Sequence, residues 1–425
     1  ISRGLVGSEM CIRDRVRGMH DVPIEETHQW SHVLNFSEKL MKSFSYSEIR
    51  IPVVEYTNLF ERSVGSETDI VNKEMFTFNS KSEKSLTLRP EGTAGCMRVA
   101  ISQGLLDKGP QKLFYSGPMY RYERPQKGRN REFFQFSAEV FGIESMTAEL
   151  ELFQIIETII NKYKIDDSWL EINSLGSEED QKNFSKALQD FLKPLKSKLD
   201  KDSQNRLEKN PLRILDSKST ETKKILMNAP RISEFRSKNS ITNFNSLKNL
   251  LSDFGINYKE NENLVRGLDY YNDAVFEWKS DSLGSQNTFC AGGRYDSLAK
   301  KLGGRQTPAV GVSLGIDRLI IACKDKYKFP SQRQIAVIVL DRNFLKQGNI
   351  ISEKIRLNFP STAVRFSGLN VNLKSELKRA SRNNFNFAII LGREEVESST
   401  YTIKNLDSEK NYEKLSEEEL ISFLK

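Results

Sequence analysis

The sequence predicts an α+β chain: an antiparallel-sheet core with flanking helices, interrupted by a charged helical insertion and followed by a small α/β domain. Three observations predict it. Short strand patterns cluster between an N-terminal helix pattern and a second, strongly apolar one, a stretch rich in Lys, Ser, Asn and Glu separates them from a second group of strands, and strand and helix alternate towards the C-terminus. A chain of 425 residues is too long for one hydrophobic core. Its 38% apolar and 28% charged residues are those of a globular protein. No apolar run approaches the roughly 20 residues needed to span a bilayer. The longest, Ile335 to Leu340 and Phe387 to Leu391, suit buried strands.

The elements follow in order. Residues 1–15 lack an initiating Met and read as a non-native or disordered leader, and Glu9 and Asp14 argue against a targeting signal. The first part of the core is expected over 16–176. A helix from Thr27 to Ser43 carries Trp30, Val33, Leu34, Leu40 and Met41 at helical spacing, and a strand from Glu48 to Val54 contains Pro52, which belongs at an edge because it lacks the ladder N–H. Strand patterns continue at Glu74 to Phe78, Ser85 to Leu88, Lys112 to Tyr122 and Glu132 to Phe141. Thr147 is a candidate cap for a helix whose apolar face is Leu150, Phe153, Ile156, Ile160 and Tyr163. Residues 177–263 read as the helical insertion. The second part of the core, 264–328, has strands at Val265 to Trp278 and Thr288 to Ala291 and a closing helix that ends near Ile321. Over 333–425 strands at Ile335 to Leu340, Ala363 to Ser367 and Phe387 to Leu391 alternate with helices at Phe344 to Phe359 and Leu373 to Ser381, a parallel βαβ pattern.

Composition narrows the chemistry. Lys and Arg total 64 against 57 Asp and Glu, a net charge of +7 that favours polyanionic partners but serves solubility equally well. Cys11, Cys96, Cys290 and Cys323 form no zinc or disulfide spacing and fit a reducing cytoplasm. His20, His28 and His32 all lie near the N-terminus, which disfavours Ser-His hydrolysis and His-ligated metal sites.

The richest segment runs from Phe114 to Gly142. On paired strands Arg121 and Glu123 share a face, as do Phe133, Gln135, Ser137 and Glu139, so one surface gathers a guanidinium, carboxylates, an amide and a ring. Cross-strand ion pairing alone could explain such charges. The segment resembles motif 2 of class II aminoacyl-tRNA synthetases in its histidine-specific form. Tyr46 to Val54 resembles motif 1, Thr87 to Thr93 the amino-acid site, and Gly311 to Leu319, with Arg318, motif 3. Leu264 to Tyr271 and Ala291 to Asp296 resemble the two signatures of the histidyl-tRNA synthetase family.

The resemblance implies ATP-dependent ligation of L-histidine to tRNA(His) through a histidyl-adenylate, a class II sheet core and a C-terminal anticodon-binding domain. It implies Arg266 and Arg121 as catalytic residues, with Arg121 on the α-phosphate and Arg266 between phosphate and histidine carboxylate. Glu123, Phe133 and Arg318 would complete the ATP pocket, although Phe133 could equally be core. Glu91, Gly92, Thr93 and Gln135 would face the histidine ammonium side, and Glu139, Tyr270, Tyr271 and Tyr295 the imidazole, the tyrosines being open to a packing role. Lys127, Arg129 and Arg131 would meet the tRNA acceptor end. Asn130 and Phe134 depart from the family pattern, where a tyrosine and a histidine are usual. Lys374, Lys378, Arg379 and Arg382 give one C-terminal helix a basic face that could read tRNA or be merely solvated. A cytoplasmic homodimer using ATP and Mg2+, with no zinc, no organic prosthetic group and no membrane partner, is the expectation. The competing reading is a non-catalytic, histidine-sensing regulatory paralogue of ATP phosphoribosyltransferase.

Overall fold

The computed structural model describes residues 13–126, 128–284, 286–367, 372–408 and 410–425. Most of the expected leader, and Lys127, lie outside them. The chain divides after Lys328 into two compact units.

In chain order the first unit contains helix α1 (Ile24–Ser43), strands β1 (Ser47–Glu48) and β2 (Val54–Tyr56), helix α2 (Thr57–Val64), strands β3 (Phe76–Asn79) and β4 (Ser85–Leu88), and helix α3 (Thr93–Ser102). The long hairpin β5 (Gln111–Tyr120) and β6 (Glu132–Phe141), helix α4 (Thr147–Tyr163) and strand β7 (Ser168–Ser174) follow. Next come helices α5 (Glu178–Leu192), α6 (Lys201–Lys209), α7 (Thr220–Leu226) and α8 (Lys238–Asp253). The unit ends with β8 (Tyr258–Glu260), β9 (Asn272–Ser280), β10 (Thr288–Arg294), α9 (Leu298–Lys301), β11 (Ala309–Gly315) and α10 (Ile316–Cys323).

Eight strands form one sheet in the order β1-β5-β6-β11-β10-β9-β7-β8. Its interior pairs are antiparallel, whereas the edge pairs β1 with β5 and β7 with β8 are parallel, so the sheet is mixed rather than wholly antiparallel. The expected strand containing Pro52 is broken at that residue. β1 joins the large sheet and β2 a separate three-stranded sheet, β2-β4-β3, because a residue without an N–H cannot continue the ladder. Thr147 is the first helical residue of α4, not its cap. Its hydroxyl instead pairs with Ser145 Oγ at 2.6 Å.

The two faces of the large sheet differ in side-chain size. On one face Phe114 stacks on Phe136 at 5.6 Å, and Phe276 and Trp278 pack edge-on against Phe153 of α4, burying the apolar stripe of that helix. On the other face Ser137, Ser313 and Ala291 lie side by side in register, flanked by Gly311 opposite Glu139 and Gly315 opposite Gln135. Small residues in adjacent strands leave that face concave.

In the insertion, helices α5 to α7 pack around Phe184, Leu188, Leu192, Leu207 and Ile214, whereas α8 packs against α4 and β9. Each helix starts where a short polar side chain accepts a backbone N–H: Ser177, Asp200, Ser219 and Ser237. In the second unit β12 (Gln334–Val339), α11 (Leu345–Asn358), β13 (Ala363–Phe366), α12 (Leu373–Arg382) and β14 (Phe387–Leu391) form the expected parallel βαβ pattern. Helix α13 (Arg393–Glu397), strands β15 (Tyr401–Asn405) and β16 (Asn411–Leu415) and helix α14 (Glu417–Phe423) complete it, and the two strands add antiparallel to give the order β13-β12-β14-β15-β16. Among the described residues no helix is long and apolar enough to cross a membrane.

Candidate active site

A cavity of about 740 Å³ opens over the concave face of the large sheet. Arg121, Glu123, Phe133, Gln135, Arg266 and Arg318 all line it. β5 ends at Tyr120, so Arg121 and Glu123 stand on an irregular segment rather than a strand. Arg121 is fixed by its Nε, which donates to the Pro90 carbonyl at 2.9 Å, and by the Phe133 ring, 5.2 Å from its Cζ. Burial lowers its affinity for the proton, and Glu74 and Glu91 counter that.

Arg266 also sits on a loop, because β9 starts only at Asn272. Its Nη1 donates to Glu277 Oε1, not to Asp269. Burial disfavours its charge, yet Glu277 together with Tyr271 and Tyr270 outweighs that and holds the guanidinium above its ordinary value. Among the described residues its Nε, which is buried, has no hydrogen-bond partner, and neither has Gln135 Oε1. Two orphaned polar atoms in a cavity wall are what a polar ligand satisfies.

Beneath this wall lies a buried polar cluster. Glu139, 1% exposed, accepts from Thr93 Oγ1 at 2.7 Å, from the Tyr115 hydroxyl at 2.8 Å and, on its other oxygen, from the Tyr295 hydroxyl. Burial pushes its carboxyl up to about 7, restrained by those three hydroxyls. The Tyr270 ring lies 4.6 Å from Tyr271 and 5.4 Å from Tyr295, and Arg266 Cζ is 5.8 Å from the Tyr271 ring. Glu91 accepts the N–H groups of Thr93 and Ala94 at 2.7 and 3.0 Å, which caps α3. Burial raises its carboxyl above the ordinary value, against the pull of those N–H groups. Gly92 is required here, since a Cβ would stand 2.2 Å from the Tyr115 ring.

The motif-2 residues diverge. Arg129 turns into the cavity and pairs with Glu123. Arg131 turns away, stacking on Tyr122 at 3.6 Å and donating to the Arg17 carbonyl at 3.3 Å. Arg318 gives Nε to the Gly128 carbonyl at 2.9 Å, Nη2 to the Gln286 carbonyl at 2.8 Å and Nη1 to the Thr288 carbonyl, so its fork joins two loops at the cavity rim. Phe134 packs edge-on against Trp30, away from this rim.

Sequence reasoning did not single out Tyr115 or Glu277. Both had a signal: Tyr115 alternates with Gly117 on the strand facing Ser137, and Glu277 is the one acid in the apolar run Ala274 to Trp278. Among the described residues no group of three or more His, Cys, Asp or Glu side chains converges to hold a metal ion.

Comparison with known proteins gives consistent matches. Residues 18–319 match the family model described as Histidyl-tRNA synthetase, and residues 334–425 that of an Anticodon binding domain. A histidine-tRNA ligase of Francisella philomiragia is 40% identical over 413 residues, covering 96% of this chain and 97% of that protein. One of Hydrogenovibrio crunogenus is 41% identical over 412 residues, covering 96% and 97%. The solved apo histidyl-tRNA synthetase of S. aureus superposes with a TM-score of 0.78 at 29% identity, over 96% of this chain and 99% of that one. A Bacillus halodurans protein described as an ATP phosphoribosyltransferase regulatory subunit/histidyl-tRNA synthetase shares the fold, with a TM-score of 0.64 at 21% identity over 87% of this chain and 96% of that one.

Proposed function

Because the chain belongs to the histidyl-tRNA synthetase family and catalyses the ATP-dependent ligation of L-histidine to tRNA(His), we propose that the cavity over the large sheet is where histidine is activated. The histidine carboxylate attacks the α-phosphorus of ATP, the bond to pyrophosphate breaks, and histidyl-adenylate remains for transfer to tRNA. Two anionic reactants meet in this step, so fixed cations at the reacting oxygens supply most of the catalysis. Arg121 binds the α-phosphate. Arg266 spans the phosphate and the carboxylate, where its rigid fork can meet both.

The observation that carries this reading is the stacking of a guanidinium-lined cavity directly on the Glu139 and tyrosine cluster. Gln135 Oε1, which has no partner among the described residues, accepts from the histidine ammonium, with Glu91 and Thr93 beside it and Gly92 keeping the wall low. Glu139 accepts the ring N–H, the Tyr271 hydroxyl donates to the other ring nitrogen, and Tyr270 and Tyr295 close the imidazole pocket. Glu123, Phe133 and Arg318 hold ATP.

Carboxylates of Glu74 and Glu277 line the same cavity, and one or two such donors are what Mg2+ takes beside phosphate oxygens and water. They would hold the ion, which screens the phosphates when bound. The acceptor end of tRNA meets Arg129 and Lys127. Arg131, stacked on Tyr122, shapes that loop. The second unit reads the anticodon end, its helix α12 presenting Lys374, Lys378, Arg379 and Arg382, all exposed.

The protein acts as a homodimer through the three-stranded sheet, where Val54, Tyr56 and Phe78 are 40%, 51% and 44% exposed. It works in the cytoplasm, which suits the free thiols Cys96, Cys290 and Cys323. Histidine-dependent exchange of pyrophosphate into ATP tests the proposal. Exchange lost in Arg121→Ala and Arg266→Ala supports the assigned cavity, and wild-type exchange in both refutes it.

A further inference from the structure

The insertion grips the loop carrying Arg266 at both ends. From the turn Pro211–Ile214 that follows α6, Arg213 Nη1 donates to the backbone carbonyl of Arg266 at 3.1 Å. Three residues on, Asn210 Nδ2 donates to both carboxylate oxygens of Asp269, at 3.0 and 3.1 Å. The space between is filled, because a Cβ at Gly267 would stand 2.9 Å from Arg213 Nη1. On the other side of the arginine, Val265 packs both against the insertion's own apolar core and against that of the sheet.

Arg213 is itself aimed. Asp69 Oδ2 lies 3.8 Å from its Nη2 and accepts from Arg206 Nη2 at 2.5 Å, while Arg206 Nη1 reaches the Arg213 carbonyl at 3.4 Å. The buried Nε of Arg213 has no hydrogen-bond partner among the described residues, so the side chain is held in this place by what its other nitrogens grasp.

We infer that Arg213 is a positioning residue for adenylate formation: by holding the Arg266 carbonyl, it sets where the Arg266 guanidinium stands in the cavity, and the seating of the insertion thereby controls the reaction. This rests on the assignment of Arg266 to catalysis. A bound geometry displaced by about 1 Å can cost on the order of a hundredfold in rate.

The test is single-turnover adenylate formation by the full chain, with thermal melting to confirm folding. In Arg213→Ala the single-turnover rate constant is expected to fall about tenfold to a hundredfold, with the half-saturating concentrations of histidine and ATP within about threefold, because placement in the transition state is lost rather than uniform binding. Arg213→Lys, which keeps a cation facing Asp69, recovers part of the rate and carries the test if the alanine variant does not fold. Lys209→Ala, which breaks only the exposed insertion-core pair with Glu67 at 3.1 Å, leaves the rate within about twofold. In an Arg266→Ala background the Arg213→Ala change adds no further loss, as expected if one residue acts through the other. An unchanged rate in Arg213→Ala, an equal fall in Lys209→Ala, or a full additional loss in the Arg266→Ala background overturns the inference. A near-normal rate in Arg266→Ala alone instead overturns the assignment of Arg266.

Discussion

Replacing Glu139 with Gln separates what this carboxylate does for histidine from what it does to the fold. Its carboxyl sits at about 7 against an ordinary 4.5, so the folded chain holds that proton more tightly than the unfolded chain. The stability contributed is fully present below pH 4.5 and is lost as pH rises through about 7. At about 1.4 kcal/mol per pH unit the whole loss is roughly 3 kcal/mol. An amide of the same size has no charge to desolvate, and the hydroxyls of Thr93, Tyr115 and Tyr295 can each rotate to donate or accept around it. Glu139→Gln should therefore gain on the wild type between about pH 5 and pH 8 by up to roughly 3 kcal/mol, read by scanning calorimetry at both values. Its histidine Kd should rise roughly tenfold to a hundredfold through loss of a charged acceptor, while its ATP Kd stays within about threefold, both read by titration calorimetry. Parallel pH profiles for the two proteins, or an unchanged histidine affinity, would refute the reasoning.

Arg266→Ala should slow adenylate formation at least about a hundredfold in single turnover. It should also lower stability, because among the described residues Glu277 then keeps Lys279, at 3.4 Å, and Thr288 Oγ1, at 2.9 Å, as partners. Gly311→Ala places a Cβ 1.8 Å from Glu139 Oε2. It should abolish detectable histidine binding by calorimetry and cost about 1 to 3 kcal/mol in urea unfolding. Arg294→Ala strands Glu149, whose side chain is fully buried and accepts from Arg294 at 2.7 and 2.8 Å, and should cost about 3 to 5 kcal/mol. The double variant Arg294→Met with Glu149→Leu should recover part of that in the same unfolding assay.

Periodicity carried the reading of elements where one face is apolar. The hairpin strand Glu132 to Phe141, strand Ser85 to Leu88 and strand Phe387 to Leu391 have the observed bounds, and the apolar stripe of α4 is the one that packs on the sheet. It failed where tertiary pairing or backbone chemistry decides. Val265 to Tyr271 is apolar enough to be read as strand, yet its residues fill two cores and bind the insertion, so it stays a loop. Strands β15 and β16 carry mostly polar residues and owe their extended form to pairing beside β14. The arginines proposed for catalysis, Arg121 and Arg266, were legible through motif resemblance. Glu277 and Arg213, the partners of Arg266, belong to no such motif; Glu277 left only the faint signal of an acid in an apolar run, and Arg213 emerges from distances alone.

The pairing of Ser137 with Ser313, residues 176 positions apart, has a consequence for synthesis on the ribosome. Until β11 emerges, β6 has one edge unpaired and open to whatever is nearby. At roughly 5 to 20 residues per second that interval lasts on the order of ten seconds or more. Nascent chains halted inside the insertion would thus present an unfinished sheet, open to chaperones and prone to aggregate.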